Sequence, residues 1–235
     1  MALKRVWTRA GVTEAGDGWG VLLDDKPLRL PSGPALRVPQ RSLAEAVAAE
    51  WQAAGAESGV MDYTDVPLTR LAGTAQLRIV PDPAPVAAAI AVYGETDLLC
   101  YRADRPPELV LRQDEAWRPW LEWARLELGA ALTTTTGIIH VKQHPAAIAA
   151  LRREVEAENG WVLAGLGIAV PALGSLVLGL ALMRGLIDPG EAQALSCVDE
   201  DYQAELWGVD DQAAARRARI LAELEEATQF ISLVR

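Results

Sequence analysis

His140 and His144 stand four residues apart in the run H-V-K-Q-H. On one helical turn that spacing would offer two imidazole nitrogens to a divalent metal. Pro145 follows at once, no glutamate completes an H-E-x-x-H pattern, and no cysteine lies nearby. The pair reads as solvated loop histidines, and no metal is expected. Cys100 and Cys197 are far apart without a C-x-x-C arrangement, which fits a reducing compartment rather than a disulfide scaffold. Both lie among apolar residues, a setting that favours inert thiols over nucleophiles. No G-x-x-x-x-G-K-[ST] loop and no G-x-S-x-G elbow occur, and Gly16-Asp17-Gly18-Trp19-Gly20 reads as a hairpin turn. The 32 Asp and Glu residues leave paired-carboxylate acid–base chemistry open. Nothing else points to an enzyme, and no cofactor is expected.

Two constellations stand out. Asp199, Glu200 and Asp201, with Glu205, form an acidic cluster interleaved with Tyr202, Gln203 and Trp207. One reading is a solvated helix face. The other is a recognition surface, because aromatic residues beside charge are enriched where partners dock. Trp117, Trp120 and Trp123 follow at three-residue steps, so on a helix the indoles fan out rather than share one face. At least one is expected at an interface and the other two in the core.

The elements that must position these residues change character near residue 80. In 4–39, short apolar runs are separated by Gly16-Asp17-Gly18, Asp24-Asp25-Lys26-Pro27 and Pro31-Ser32-Gly33-Pro34. This is the pattern of an antiparallel meander. Ser42 to Glu45 spells S-x-x-E, a capping box that would open a helix with Leu43, Val47 and Trp51 on one face and an end around Gly55. Residues 60–80 are mixed and could return to the sheet. Pro81-Asp82-Pro83-Ala84-Pro85 marks the boundary, with Asp82 as cap and Pro83 as the first residue of a helix reaching Gly94. Helices are then expected over 106–129, broken or kinked at Pro119, over 145–158, over 189–207, and from Asp210 or Asp211 onward. The fold class is α+β, with a small β-rich N-terminal domain (1–80) followed by a larger all-α domain (81–235).

The chain of 235 residues carries a net charge of −10, and 51% of it is hydrophobic. It can therefore bury a core, and its acidity opposes nucleic-acid binding. Residues 161–183 hold no formal charge and would extend about 35 Å as one straight helix, enough to cross a hydrocarbon layer of roughly 30 Å. Four glycines dilute this stretch, and no aromatic belt flanks it beyond Trp161. A buried hairpin or kinked helix is the reading, without stable membrane insertion; a membrane-associated adaptor built on 161–183 is the alternative.

The order of segments then resembles a known family. It is carried by V-L-L-D-D-K-P-L-R-L-P (21–31), A-E-A-V-A-A-E-W (44–51), M-D-Y-T-D-V-P-L-T-R-L (61–71) and E-T-D-L-L-C-Y-R-A (95–103), followed by W-R-P-W-L-E-W (117–123), G-S-L-V-L-G-L-A-L (174–182) and D-E-D-Y-Q-A-E-L-W-G (199–208). The chain resembles the "ATP-twelve" assembly chaperones that act on the α subunit of the F-type ATP synthase catalytic sector. The resemblance implies an ATP-independent holdase, a monomer, that shields the β-contacting surface of the free α subunit. It also implies that Asp199, Glu200 and Asp201, with Gln203, Glu205 and Trp207, contact the partner. Trp51 matches a family tryptophan, and its place on an amphipathic helix makes it a structural, packing residue. The absence of the mitochondrial leading extension implies a bacterial, cytoplasmic protein. Two departures from the family are Arg118 before the proline and the uncharged 161–183 stretch.

Overall fold

The computed structural model describes residues 3–31 and 33–235, so Ser32 of the third expected turn, and Met1 and Ala2, lie outside it. In chain order the strands are Leu3–Lys4 (β1), Ala10–Ala15 (β2), Gly18–Leu23 (β3), Lys26–Pro27 (β4), Arg37–Val38 (β5), Val60–Met61 (β6), Tyr101–Arg102 (β7) and Thr135–Thr136 (β8). The helices are Arg41–Ala53 (α1), Pro67–Thr74 (α2), Ala84–Ala91 (α3), Pro107–Glu127 (α4) and Pro145–Glu156 (α5), then Gly160–Leu173 (α6), Leu176–Met183 (α7), Pro189–Ser196 (α8), Val198–Trp207 (α9) and Asp211–Val234 (α10). The fold is α+β, β-rich at the N-terminus and helical beyond. Two units are distinguished: Met1–Pro83 with Asn159–Gly165 and Gln229–Arg235, and Ala84–Glu158 with Leu166–Thr228.

In the first unit, β2 and β3 form a hairpin in which Ala10 faces Leu23 and Ala15 faces Gly18. The far edge of β3 is shared, with Leu22 opposite Pro27 of β4 and Trp19 opposite Val38 of β5. β5 comes so close that a Cβ on Gly18 would lie 2.5 Å from the Val38 carbonyl oxygen; only glycine fits there. Val21, Leu36 and Val38 are buried, as are Leu43, Val47 and Trp51 of α1. Two glutamine amides close sheet edges. Gln76 accepts from Arg37 N–H at 2.7 Å and donates to the Ala35 carbonyl at 3.0 Å. Gln52 treats Ala10 N–H (2.8 Å) and the Thr8 carbonyl (3.2 Å) in the same way.

The expected capping box at Ser42 does not form. The helix begins two residues earlier, after Gln40, whose side chain makes no capping bond. Ser42 is thus already inside α1 and donates to the Leu233 carbonyl instead (2.9 Å), while Glu45 takes Arg41. Residues 60–80 do not rejoin the meander: their one strand, β6, pairs with β1 in a separate two-stranded sheet. The rest is helical: a short 3-10 turn at Tyr63–Asp65, α2, and a wide π turn over Ala75–Ile79. The N-terminus of α2 lacks a side-chain cap of its own. Glu50 supplies one from α1, accepting from Leu68 N–H (2.6 Å) and Thr69 N–H (3.1 Å). Trp51 joins the same corner through Nε1–H to Thr69 Oγ1 at 2.9 Å, with Trp7 packed edge-on at 5.0 Å.

In the second unit α3 starts at Ala84, so Pro83 precedes the helix, and α3 gives way to a 3-10 turn at Val92–Thr96. α4 runs unbroken through Pro119. The uncharged 161–183 stretch is divided between α6 and α7 at Gly174 (φ 63°), whereas Pro171 sits inside α6. Ser175 caps α7, and buried Asp97 accepts from Ser175 Oγ–H (2.7 Å), Val177 N–H (3.0 Å) and Leu99 N–H (3.1 Å). Two of the family-like segments thereby meet at one carboxylate. Among the described residues, no helix is long and apolar enough to cross a membrane. The expected 189–207 helix is two helices. Asp188 and Glu191 do form a capping box at the start of α8, but Cys197 interrupts before α9, which Gly208 (φ 89°) ends.

Candidate functional site

The acidic cluster lies on α9, with Asp199, Glu200 and Asp201 in its first turn. There the positive end of the helix dipole favours negative charge. Each carboxylate is also committed to a donor on a neighbouring helix. Asp199 accepts from Gln113 Nε2–H of α4 at 2.5 Å. Asp201 pairs with Arg217 of α10, and Glu200 with Arg216 at 3.5 Å. Glu205 holds Arg112 through two parallel bonds of 2.8 Å. That fork raises the Arg112 pKa and lowers that of Glu205, as expected when a hydrogen bond favours both charged forms. Arg112 also lies over the Tyr202 ring at 5.5 Å.

Beneath this surface is a polar network. Gln113 is 1% exposed; its Oε1 accepts from Ala103 N–H and its carbonyl from Arg102, both at 2.7 Å. Arg102 also donates to the Leu99 carbonyl (3.0 Å) and stacks 5.1 Å from the Trp117 ring. Trp117 donates to the Leu195 carbonyl at 2.7 Å. Leu109, Gln113 and Trp117, spaced four apart, form the buried stripe of α4. A glutamine at the four-residue step between Leu109 and Trp117 is the sequence signal for this buried polar anchor. The arginine partners carried no such signal.

What the network leaves free is apolar. Gln203 is exposed, and at the end of α9 Leu206 is 56%, Trp207 79% and Val209 71% exposed. Of the tryptophan trio only Trp117 is a core residue. Trp120 and Trp123 are half-buried and packed edge-on to each other at 6.3 Å, with Arg184 over Trp123. The expectation of two core indoles is corrected to one, because the fan of side chains turns the other two toward solvent.

The remaining candidates do different work. His144 caps α5, accepting from Ala146 N–H at 3.2 Å, while His140 Nδ1 lies 3.3 Å from the Tyr101 hydroxyl. Their ring nitrogens are therefore engaged separately. Among the described residues no group of three or more His, Cys, Asp or Glu could hold a metal. Burial and the nearby Asp97 push the Cys100 thiol up to about 12, and burial also raises Cys197. A groove of about 380 Å³ beside α4 contains Asp114 and Glu122. These are bound to Arg118 (3.2 Å) and Arg125 (2.5 Å) respectively, and Arg125 holds the Glu122 pKa low. Asp97, pushed up to about 6 by burial against its hydrogen bonds, is sealed from solvent. Neither arrangement is a carboxyl pair poised on a substrate.

The family model described as "ATP12 chaperone protein" matches residues 4–125. The crystal structure of Atp12 from Paracoccus denitrificans superposes with a TM-score of 0.94 at 44% identity, covering 99% of this chain and 98% of that one. A variant of that Paracoccus protein with one aspartate replaced by lysine gives the same TM-score, 0.94. The Atu1473 protein of Agrobacterium tumefaciens matches with a TM-score of 0.93 at 36% identity, covering all of this chain and 87% of its own. The mitochondrial protein atp12 of Schizosaccharomyces pombe is 25% identical over 219 residues, 88% of this chain and 74% of that protein.

Proposed function

The chain belongs to the ATP12 chaperone family, and we propose that it is an ATP-independent assembly chaperone for the F-type ATP synthase. It binds the free α subunit of the catalytic sector in the bacterial cytoplasm, as a monomer, and shields the surface that later meets the β subunits. Free subunits of an obligate ring expose apolar interfaces that aggregate unless covered. Because β must displace it, the chaperone binds with moderate affinity and performs no chemistry.

The observation that carries this reading is the end of α9, where Leu206, Trp207 and Val209 are in solvent while the acids behind them are tied down. An exposed indole on a braced helix is a strong anchor for a protein partner. In this reading Gln203 and Trp207 touch the α subunit directly, the Glu200–Arg216 and Glu205–Arg112 pairs form a polar rim, and Asp199 and Asp201 hold α9 in place. The test is size-exclusion chromatography with light scattering of the protein mixed with its host's isolated α subunit, with β alone and the assembled head as controls. A 1:1 complex with free α only is the expected result. Absence of a complex with α overturns the reading.

A further inference from the structure

The most exposed large apolar residue of the described chain is Ile138, 98% exposed, and its neighbour Ile139 is 77% exposed. They sit at the tip of a loop whose base is fastened. Thr133 N–H donates to Gln143 Oε1 at 2.8 Å, and Gln143 Nε2–H donates back to the Thr133 carbonyl at 2.9 Å. Gln143 is itself buried. One flank pairs β8 with β7 in parallel, and Gly137 N–H continues that ladder to the Arg102 carbonyl at 2.8 Å. On the other flank, His140 lies against Tyr101. Gly137, at φ 78°, makes the turn that sets the isoleucines outward. A loop closed by its own side chains in this way keeps a defined shape.

We propose that this loop is a preformed docking prong, whose Ile138 and Ile139 enter an apolar cleft on a protein partner bordered by carboxylates. The charge pattern identifies the border. In a chain of net charge −10, residues 128–153 contain no Asp or Glu but include Lys142, Arg152 and Arg153. Lys142 and His140 line a shallow cleft at the base of the prong, and Glu95 is the one acid there. The 128–153 segment thus supplies only basic groups, whereas α9 supplies four acids and no base. Because the prong is already ordered, little conformational freedom is lost on docking. A lipid surface fits less well, because two isoleucines at one loop tip bury too little apolar surface for a stable membrane anchor.

The inference rests on the reading of the chain as a chaperone of the α subunit, so that subunit is the probe. The wild-type protein and the double variant Ile138→Ser, Ile139→Ser are titrated into isolated α subunit, with thermal melts as a fold control. The melts are expected to coincide, because both side chains are in solvent, and the double variant is expected to bind at least about tenfold more weakly. As a second measurement, Ile139→Cys carries a bimane dye, whose emission is expected to shift to the blue when α is added. The buried native thiols of Cys100 and Cys197 allow that selective labelling. Equal affinity of wild type and double variant, or an unshifted dye in a formed complex, overturns the prong and leaves the chaperone reading standing. Failure of the wild type to bind α overturns both. Flotation of the wild type, but not the double variant, with phosphatidylglycerol vesicles overturns the protein cleft in favour of lipid.

Discussion

The side-chain amide of Gln113 joins α4 to α9 by donating to Asp199 at 2.5 Å while accepting from Ala103 N–H at 2.7 Å. A buried amide satisfied at both ends is costly to remove, because an apolar replacement leaves the Ala103 N–H and the Asp199 carboxylate without that partner. Gln113→Leu is therefore expected to lower stability by about 1–3 kcal/mol. Asp199→Asn keeps an acceptor oxygen and is expected to cost less than Asp199→Leu. Urea unfolding of the three variants checks the order.

Trp207 makes the opposite case. It is largely in solvent, so Trp207→Ala should change folding stability by no more than about 0.5 kcal/mol. On the proposed function it should weaken α-subunit binding by about tenfold or more, as loss of an interface anchor does. Parallel melts and binding titrations separate the two effects; a large loss of stability with unchanged affinity would assign Trp207 to the fold.

Asp97 predicts a pH signature. Burial pushes its carboxyl up to about 6 from 3.8, so the folded state holds its proton more tightly than the unfolded chain does. The stability that Asp97 contributes is then fully present below about 3.8 and is lost as pH rises through about 6, a difference of about 3 kcal/mol at most. The stability gap between wild type and Asp97→Ala should therefore narrow between pH 4 and pH 7. Unfolding measured across that window tests the sign, and a gap that widens instead would mean the three donors lower the carboxyl more than burial raises it.

Gly179 packs where α7 meets α6. A Cβ at this position would lie 2.4 Å from Val170 Cγ2 and 3.5 Å from Val170 Cα. Valine is stiff at χ1 and cannot swing aside freely. Replacing a helical glycine by alanine gains up to about 1 kcal/mol in propensity, but overpacking of this kind costs about 1–3 kcal/mol. Gly179→Ala is accordingly expected to lower the melting temperature, although it improves the helix on paper.

Much of this architecture was legible in the residues. The Asp188 cap with Glu191, the Gly208 stop and the hairpin turn between Ala15 and Gly18 are local signals, and the structure keeps them. Local reading failed where a distant group decided the outcome. Ser42 has the spelling of a cap, yet it spends its hydroxyl on Leu233. The cap of α2 comes from Glu50 on another helix, which no window of sequence reveals. The acid cluster is a contiguous run, visible in the sequence. Its division into tethered carboxylates and a free indole depends on Gln113, Arg112, Arg216 and Arg217, none adjacent to it in sequence.

A glutamine side chain ends in a group with the same donor and acceptor as a peptide bond. Gln52 and Gln76 use it to impersonate the next strand on the borders of the N-terminal sheet, at Thr8 and Ala10 and at Ala35 and Arg37. Unclaimed strand borders are templates for strand invasion, which sheet proteins otherwise block with charge, proline or a bulge. A protein that meets aggregation-prone chains before they find their places is the one most exposed to such invasion. On the proposed function, those rungs, already filled by its own side chains, keep the protein from being recruited into a shared sheet there with the subunit it covers.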